Sequence, residues 1–462
     1  MPLRDDVLVP PVNPLPPLAG LGVHVLGIRG RGMAPVALAA KFAGADVDGC
    51  DIAPAASGDP FAPAGISVAL GNDPTHVAGR HLVVTTLIHP DSPEVAAVGR
   101  DRLHHRTDLL AAVLRDRVSV AVTGSHGKGT VAALIGCALD ALGDDPLVML
   151  GVRARALGGS FRAGRGPAVA EADDADGTIA RIPATISVVT NSWSDHPMLG
   201  RTRTEVLHDI GVHVAKVPAD GRVILGRRSN LTPLIGAARA PVWRLGRDFD
   251  VETLSVETEG RVLRFRDPET GADVTGRVRI HGGEIADNAA LAFAALRATG
   301  AAPASAAAAL EALDGLDRRL ELVGEAGGVR VFDDFGKHPE SMAATLAAAR
   351  DLRPRQLHVV YEPNLHADVL RWGRRWAAVL AIADTAVVLP VDMRATLAPA
   401  RRAPADWALR AGARADRART RDEAVDLVVA RCRPGDVVVV CGINGDLVTV
   451  SRALLQRLAA AG

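Results

Sequence analysis

Residues 119–134 read SVAVTGSHGKGTVAAL, and this stretch constrains the fold more than any other. Five residues of strand-prone chain run into a loop framed by Gly124 and Gly127. Lys128 follows, and then alanine-rich sequence that reaches Gly143 before a natural helix stop. A strand that hands over to a helix through a short glycine loop is the building step of a parallel α/β sheet. The same turn makes a phosphate cradle. Backbone N–H groups of Gly124, Ser125, His126, Gly127 and Lys128 are expected to converge on phosphate oxygens at the positive end of the helix. Lys128 then neutralises the outer phosphates. Two positions depart from G-x-x-x-x-G-K-[ST]. Val122 stands at the first glycine, and Gly129 stands where a hydroxyl normally holds magnesium. The plainer alternative is a tight turn carrying an exposed lysine.

Strand and helix patterns alternate along most of the chain, which predicts an α/β protein in three blocks. A proline-rich lead-in, 1–20, precedes a first domain at 21–117. It holds apolar runs at 22–28, 45–51 and 81–86. A central domain follows at 118–317, with buried-strand patterns at 146–151, 167–173 and 184–191. Within it, 250–280 alternates apolar and polar residues, which predicts an antiparallel hairpin. A third domain at 318–462 repeats the open α/β pattern, and Thr420 with Glu423 has capping-box spacing at the start of a helix. Aromatic residues are only 3% of the chain, so these cores must be built from Ala, Val and Leu.

Charge and cysteine usage exclude several classes. Lys+Arg and Asp+Glu both number 53, which gives no basis for nucleic acid or an anionic membrane as partner. No uninterrupted apolar run of about 18 residues predicts a membrane span. Cys50, Cys137, Cys432 and Cys441 form no C-x-x-C pair, so a metal or disulfide framework is not expected, and a cytoplasmic location is.

Three further stretches carry chemistry. Gly27, Gly30 and Gly32 in GIRGRGM lie between a strand and a helix, with Arg29 and Arg31 among them and Asp51 ending the next strand. That layout suits a diphosphate at a helix N-terminus and a carboxylate near a ribose, although glycines also serve plain turns. EADDAD at 171–176 ends a buried-strand pattern, and His196 follows another. Glu171 and His196 are expected to meet near Lys128 and to suit magnesium; the alternative is a solvated acidic turn and a surface histidine. DDFGKHP at 333–339 and the pair Arg318-Arg319 lie at the start of the third block, where a solvated hinge would explain them as well.

Taken together these motifs resemble the Mur ligase family, over about residues 22–460. GIRGRGM (27–33) is similar to its G-I-G-G-x-G-M, TTLIHPDSPE (85–94) to S-S-A-I…D-N-P-E, and GSHGKGT (124–130) to G-T-H-G-K-T-T. EADDAD, TNSWSDH (190–196), RRLELVGE (318–325) and DDFGKHP follow in the family's order. The resemblance is strongest to the branch that joins L-alanine to UDP-N-acetylmuramate, with features of the branch that reattaches murein peptides. It implies a Rossmann-like domain for the UDP-sugar, a P-loop-type ATP domain and a C-terminal Rossmann-like domain for the amino acid. It also implies amide synthesis through an acyl phosphate, with ATP and Mg2+ as cofactors and small-molecule substrates. The chain is expected to be a monomer or homodimer.

The resemblance assigns roles by position. Lys128 stabilises the transferring phosphoryl group. Glu171, His196 and, if the loop shifts register, Thr130 hold Mg2+. Asn288, Arg319 and Asp334 join residues 124–130 around ATP. Gly27, Gly30, Arg31, Gly32, Met33, Asp51, Thr85 and Thr86 face the UDP-sugar, and Lys337, His338 and Asn364 face the amino acid. Departures fall at Gly129, at Glu284 and Ile285 in the adenine motif, and in EPNL (362–365), where Leu365 replaces an arginine. Three classes therefore stay open: an amide ligase on this or another carboxylate and amine, a non-catalytic binding homologue, and a dehydrogenase. The last explains neither Lys128 nor EADDAD.

Overall fold

The computed structural model describes residues 15–56, 58–85, 92–98, 102–174, 176–192, 201–257, 260–336, 338–363, 366–390, 415–442 and 447–461. His196, Thr86, Lys337, Asn364 and Leu365 lie outside the described residues. Among the described residues no helix is long and apolar enough to cross a membrane.

The first sheet contains β1 (Gly22–Leu26), β2 (Asp46–Asp51), β3 (Ser67–Leu70), β4 (Leu82–Thr85) and β5 (Leu103–His105). Its order is β3-β2-β1-β4-β5, all parallel. Helices α1 (Ala34–Phe42), α2 (Pro93–Ala97) and α3 (Arg106–Leu114) cross between strands. Strand order reverses beside β1, so the Gly27 loop opens at the switch point where such sheets take ligands.

The second sheet contains β6 (Ser119–Thr123), β7 (Leu147–Ala154), β8 (Gly159–Arg162), β9 (Ala168–Glu171), β10 (Ile186–Val189), β11 (Arg222–Leu225) and β12 (Val242–Arg244). Its order is β12-β11-β10-β6-β9-β7-β8, and only β8 runs antiparallel. β6 is central, and Val120, Ala121 and Val122 are fully buried. A strand covered on both faces needs the continuous apolar run that 119–123 supplies. Each buried Val contributes about 1.5–3 kcal/mol. Helices α4 (Lys128–Ala141), α5 (Arg203–Val214), α6 (Pro233–Ala237) and α7 (Ile285–Ala298) belong to this region.

A three-stranded sheet, β13 (Asp250–Glu257), β14 (Gly260–Arg266) and β15 (Asp273–Val278), stands where alternation predicts the hairpin, with one strand more than a hairpin needs. The fourth sheet holds β16 (Glu321–Ala326), β17 (Val329–Asp334), β18 (Leu357–Tyr361), β19 (Thr385–Val388), β20 (Ala415–Arg417) and β21 (Val437–Cys441). Its order is β16-β17-β21-β18-β19-β20, with β16 antiparallel. Thr420 caps the following helix by accepting from the Glu423 N–H at 3.1 Å. The Glu423 carboxylate reaches Arg419 N instead of closing the box on Thr420.

The chain forms two compact units. One holds the first two sheets with 263–278 and 286–314, and the other holds 253–262, 279–285 and the fourth sheet. Within the first unit, α1 packs on β7 and β8, so one apolar core runs through both sheets.

Candidate active site around Lys128

Gly124 leaves β6 with φ +118°, and Gly127 turns into α4 with φ +80°. Side chains rarely adopt either angle. Space forbids them too: a Cβ on Gly124 would lie 2.4 Å from Thr190 Oγ1, and one on Gly127 2.6 Å from Asn288 Oδ1. Asn288, expected near the adenine, is therefore packed against the loop itself.

The loop is held from β10. Asn191 Oδ1 accepts from His126 N–H at 2.9 Å, and its Nδ2 donates to His126 O at 3.0 Å. Thr190 Oγ1 donates to the same carbonyl at 2.6 Å. Ser125 N–H donates to Asn191 O at 3.2 Å. This corrects the expected cradle: the N–H groups of Ser125 and His126 are already spent inside the protein. The donors left for phosphate are those of the first helical turn. Val131 N to Gly127 O is the first helical bond, so Gly127, Lys128, Gly129 and Thr130 have N–H groups with no intrahelical acceptor.

Lys128 is not an exposed lysine on a turn. Its side chain is 11% exposed, and Nζ donates to Asp174 Oδ1 at 3.0 Å and to Ser125 O at 3.5 Å. Burial alone would lower its pKa, but Asp174, Asp173 and Glu171 outweigh burial and raise it. The acidic neighbours thus favour the charged ammonium, on a side chain folded back over the loop.

EADDAD is no solvated turn either. Glu171 Oε2 accepts from Gly151 N–H at 2.8 Å. Asp173 accepts from Arg106 Nη2 at 2.6 Å, Asp174 from Lys128, and Asp176 from Thr178 N–H at 2.9 Å. Asp176 also lies 3.2 Å from His105 Nε2. Burial pushes Asp176 upward, yet His105 and Thr178 hold it below the ordinary carboxylate range. Thr107 bonds Thr178 at 2.8 Å, and Arg181 bonds both oxygens of Asp108 at 3.1 Å. The start of α3 is thus tied to the acidic loop of the central sheet.

Gly129 has a physical reason. A Cβ there would meet Val152 Cγ1 at 2.9 Å and Glu171 Oε2 at 3.0 Å. The Glu171 carboxylate occupies the room a side chain at 129 would need, and its other oxygen is a hard donor of the kind magnesium takes. The donors present therefore fit Mg2+ through Glu171.

At the first glycine loop, Asp51 Oδ2 accepts from Arg29 N–H at 2.8 Å and Oδ1 from Ala53 N–H at 2.9 Å. The carboxylate expected beside a ribose thus holds the loop in shape. Arg29 Nε donates to Asp59 at 2.8 Å. Gly32 lies under the Arg106 guanidinium, where a Cβ would sit 1.9 Å from Nη1. Arg106 consequently joins the first glycine loop to EADDAD. The sequence assigns no role of its own to Arg106 or Asn191, and gives Asp174 only as part of EADDAD, without its pairing to Lys128. Asn191 sat in a quoted motif, but nothing in spacing marks Arg106.

In the other unit, Arg318 and Leu320 take φ +56° and +44°. This strained turn is held from β17: Arg318 Nε donates to Asp333 Oδ2 at 3.2 Å, and Leu320 N–H to Asp334 Oδ2 at 2.8 Å. Burial raises Asp333 to about 6 against the pull of Arg318, and raises Asp334 against Arg319. Arg319 lies 5.8 Å from the Phe335 ring centroid. Arg318 braces the turn, whereas the Arg319 side chain is exposed to solvent. His338 stands at the N-cap position of the helix Pro339–Asp351 without a side-chain capping bond, and lies edge-on to Trp372 at 4.9 Å.

A model of the Mur ligase family, catalytic domain, matches residues 22–117, and one of the Mur ligase, glutamate ligase domain, matches 318–444. The chain is 34% identical to the UDP-N-acetylmuramate–L-alanine ligase of Kineococcus radiotolerans over 96% of its own length and 97% of that protein. The solved UDP-N-acetylmuramate–alanine ligase of Thermotoga maritima matches with TM-score 0.79 at 20% identity, covering 96% of this chain and 100% of that one. A murein peptide ligase from Psychrobacter arcticus matches with TM-score 0.67 at 22% identity, covering 95% and 99%. These two structures speak to the fold. The chain belongs to the Mur ligase family. It is an ATP-dependent amide ligase of the kind used in peptidoglycan synthesis.

Proposed function

We propose that the chain joins an amino acid, L-alanine by analogy with its relatives, to the carboxylate of UDP-N-acetylmuramate. The observation that carries this reading is the buried Lys128 ammonium at the open N-terminus of α4, in the same compact unit as the Gly27 loop. On this reading 21–117 binds the UDP-sugar, 118–317 binds ATP and 318–462 brings the amino acid.

The γ-phosphate rests on the N–H groups of Gly127 to Thr130. Lys128 shifts from Asp174 onto the oxygens that gain charge during transfer, a displacement its long side chain allows. Arg106, fixed by Asp173, steadies the sugar loop against this site. Glu171, with His196 and Thr130 on the family's pattern, would hold Mg2+, which would supply neutralisation of phosphate charge. The UDP-sugar carboxylate attacks the γ-phosphorus and ADP leaves; the neutral amine then attacks the acyl carbon, the amide C–N bond forms, phosphate leaves and the amine proton is lost to solvent. Arg319 and Asp334 act toward ATP from the third domain, with Asp334 fixing the turn that carries Arg319.

A different amine donor is favoured by one observation. Glu362, which stands in the family's Q-P-H-R motif, is buried and paired with Arg421 at 3.0 and 3.1 Å. The third domain has therefore rebuilt that corner. The test is Mg2+-dependent phosphate release from ATP with UDP-N-acetylmuramate and a panel of amino acids, products read by mass spectrometry. An L-alanine amide supports the main reading. An amide formed only with another amine supports the second, and ATP turnover without any amide contradicts both.

A further inference from the structure

The face of the first sheet turned away from the main core carries an unusual group. β1 and β2 pair with His24 opposite Asp48 and Leu26 opposite Cys50, so His24, Asp48 and Cys50 share that face. The segment Pro74–Val77 and α2 cover it, bringing His76 and Glu94. Apolar Val77, Val83, Val98 and Leu103 close it in.

The donor atoms of Cys50, His76 and Glu94 all lie within 4.8 Å of one another. Cys50 Sγ is 3.4 Å from His24 Nε2 and 3.7 Å from Glu94 Oε1, and His76 Nδ1 is 3.8 Å from Glu94 Oε1. Ligands about 2.0–2.3 Å from a tetrahedral zinc stand about 3.3–3.8 Å apart. The Cys50–His24, Cys50–Glu94 and His76–Glu94 pairs already have that spacing, and His24 completes the set from the side of the sulfur.

Proton counting gives the second argument. His24 Nδ1 is 2.7 Å from Asp48 Oδ1, an acceptor, so its proton sits there and Nε2 turns a lone pair toward the sulfur. Glu94 Oε1 accepts from Asp73 N–H at 2.8 Å, and Ser92 bonds the other oxygen. His76 Nδ1 is buried with no hydrogen-bond partner. The one S–H of Cys50 cannot serve both His24 and Glu94. Nitrogen, oxygen and sulfur lone pairs converge on a space that holds too few protons.

We propose that Cys50, His76, Glu94 and His24 form a buried tetrahedral site for a zinc-class divalent ion, with Asp48 orienting His24 from behind. Sulfur and imidazole donors select zinc over magnesium, and a carboxylate behind a ligating histidine is the usual support of such sites. On binding, the Cys50 S–H proton leaves to solvent and an S–metal bond forms. Ile28 N–H bonds Cys50 O at 3.1 Å, so the ion would stiffen the Gly27 loop directly above. The buried group His358, Cys432 and Asp436 differs. Both His358 nitrogens have partners, Thr385 at 2.7 Å and Asp436 at 3.1 Å, and Arg355 already supplies Asp436 with a cation at 2.8 Å.

The test uses the full chain, stripped with chelator and then titrated with cobalt(II) and with zinc against a chromogenic chelator. The expected result is about one equivalent bound, with a thiolate-to-cobalt charge-transfer band and tetrahedral d–d absorption. Cys50→Ser should abolish that band, and Asp48→Asn should weaken affinity about tenfold. Cys432→Ser should change nothing. A wild-type protein without the charge-transfer band overturns the proposal, and this needs no variant to fold. A band that survives Cys50→Ser but disappears in Cys432→Ser also overturns it.

Discussion

At the scale of single residues, Gly129 is the informative position. In sequence it looks like a lost hydroxyl, but in the structure Val152 and Glu171 fill the space a side chain there would need. Filling it sets two effects against each other. Replacing glycine in a helix gains at most about 1 kcal/mol. Overpacking costs about 1–3 kcal/mol, and Val152, being β-branched, cannot easily turn aside. Gly129→Thr is therefore expected to lower stability by about 1–2 kcal/mol in urea denaturation. Val152→Ala added to it should recover part of that loss. If Gly129→Thr alone proved neutral or stabilising, the packing explanation would fail. Glu171 must also swing away, so the Mg2+ concentration for half-maximal activity should shift in the same variant.

Elements were legible in the chain where they carry their own pattern. β6 shows as a continuous apolar run because both its faces are buried, and α4 shows because alanine fills it as far as Gly143. Alternation over 250–280 predicts a simple hairpin and does not reveal β13 as a third strand, since it marks a half-buried strand but not its number of neighbours. Side-chain pairing was the least legible part. Asp174 and Lys128 are 46 residues apart, and Arg106 and Asp173 are 67 apart. No local spacing links them: the first pair meets because β6 and β9 lie side by side in one sheet, and the second because α3 of the first sheet packs against the acidic loop of the second. The cysteine spacing likewise gave no hint that Cys50 would face His24, His76 and Glu94.

Element-level stability has a pH signature. His213 on α5 is fully buried, between Ser187 Oγ at 3.0 Å and Ile182 O at 2.9 Å. Burial lowers its pKa from 6.5 to about 4, against the Ile182 hydrogen bond. The unfolded chain thus binds a proton at a higher pH than the folded one. Its contribution is complete above about pH 6.5 and is lost as pH falls toward 4, about 3 kcal/mol in all. Chemical denaturation across pH 4–7 should show this slope, and His213→Gln should flatten it. An unchanged slope in the variant would assign acid sensitivity to other groups.

At the scale of the whole molecule, the first two sheets act as one body because a polar seam supplements their shared core. His105–Asp176, Arg106–Asp173, Thr107–Thr178 and Asp108–Arg181 are successive rungs of it. Arg106 also covers Gly32, so it connects the two loops that the proposed function gives to two substrates. Arg106→Ala is expected to raise KM for ATP and for the UDP-sugar together, each by about tenfold, equivalent to about 1.4 kcal/mol apiece. A rise for one substrate alone would confine Arg106 to a single loop.

The most direct test of the phosphate cradle separates the fold from the chemistry of Lys128. Removing Lys128 alone leaves Asp174 buried and unpaired, which costs about 3–5 kcal/mol and would confuse inactivity with unfolding. The measurement is therefore amide formation from ATP by wild type and by the double variant Lys128→Ala, Asp174→Ala, with thermal unfolding of Lys128→Ala run beside them. The double variant should unfold at a higher temperature than Lys128→Ala and still make no product, while wild type makes it. Product formation by a folded double variant at a rate near wild type would contradict the role given to Lys128.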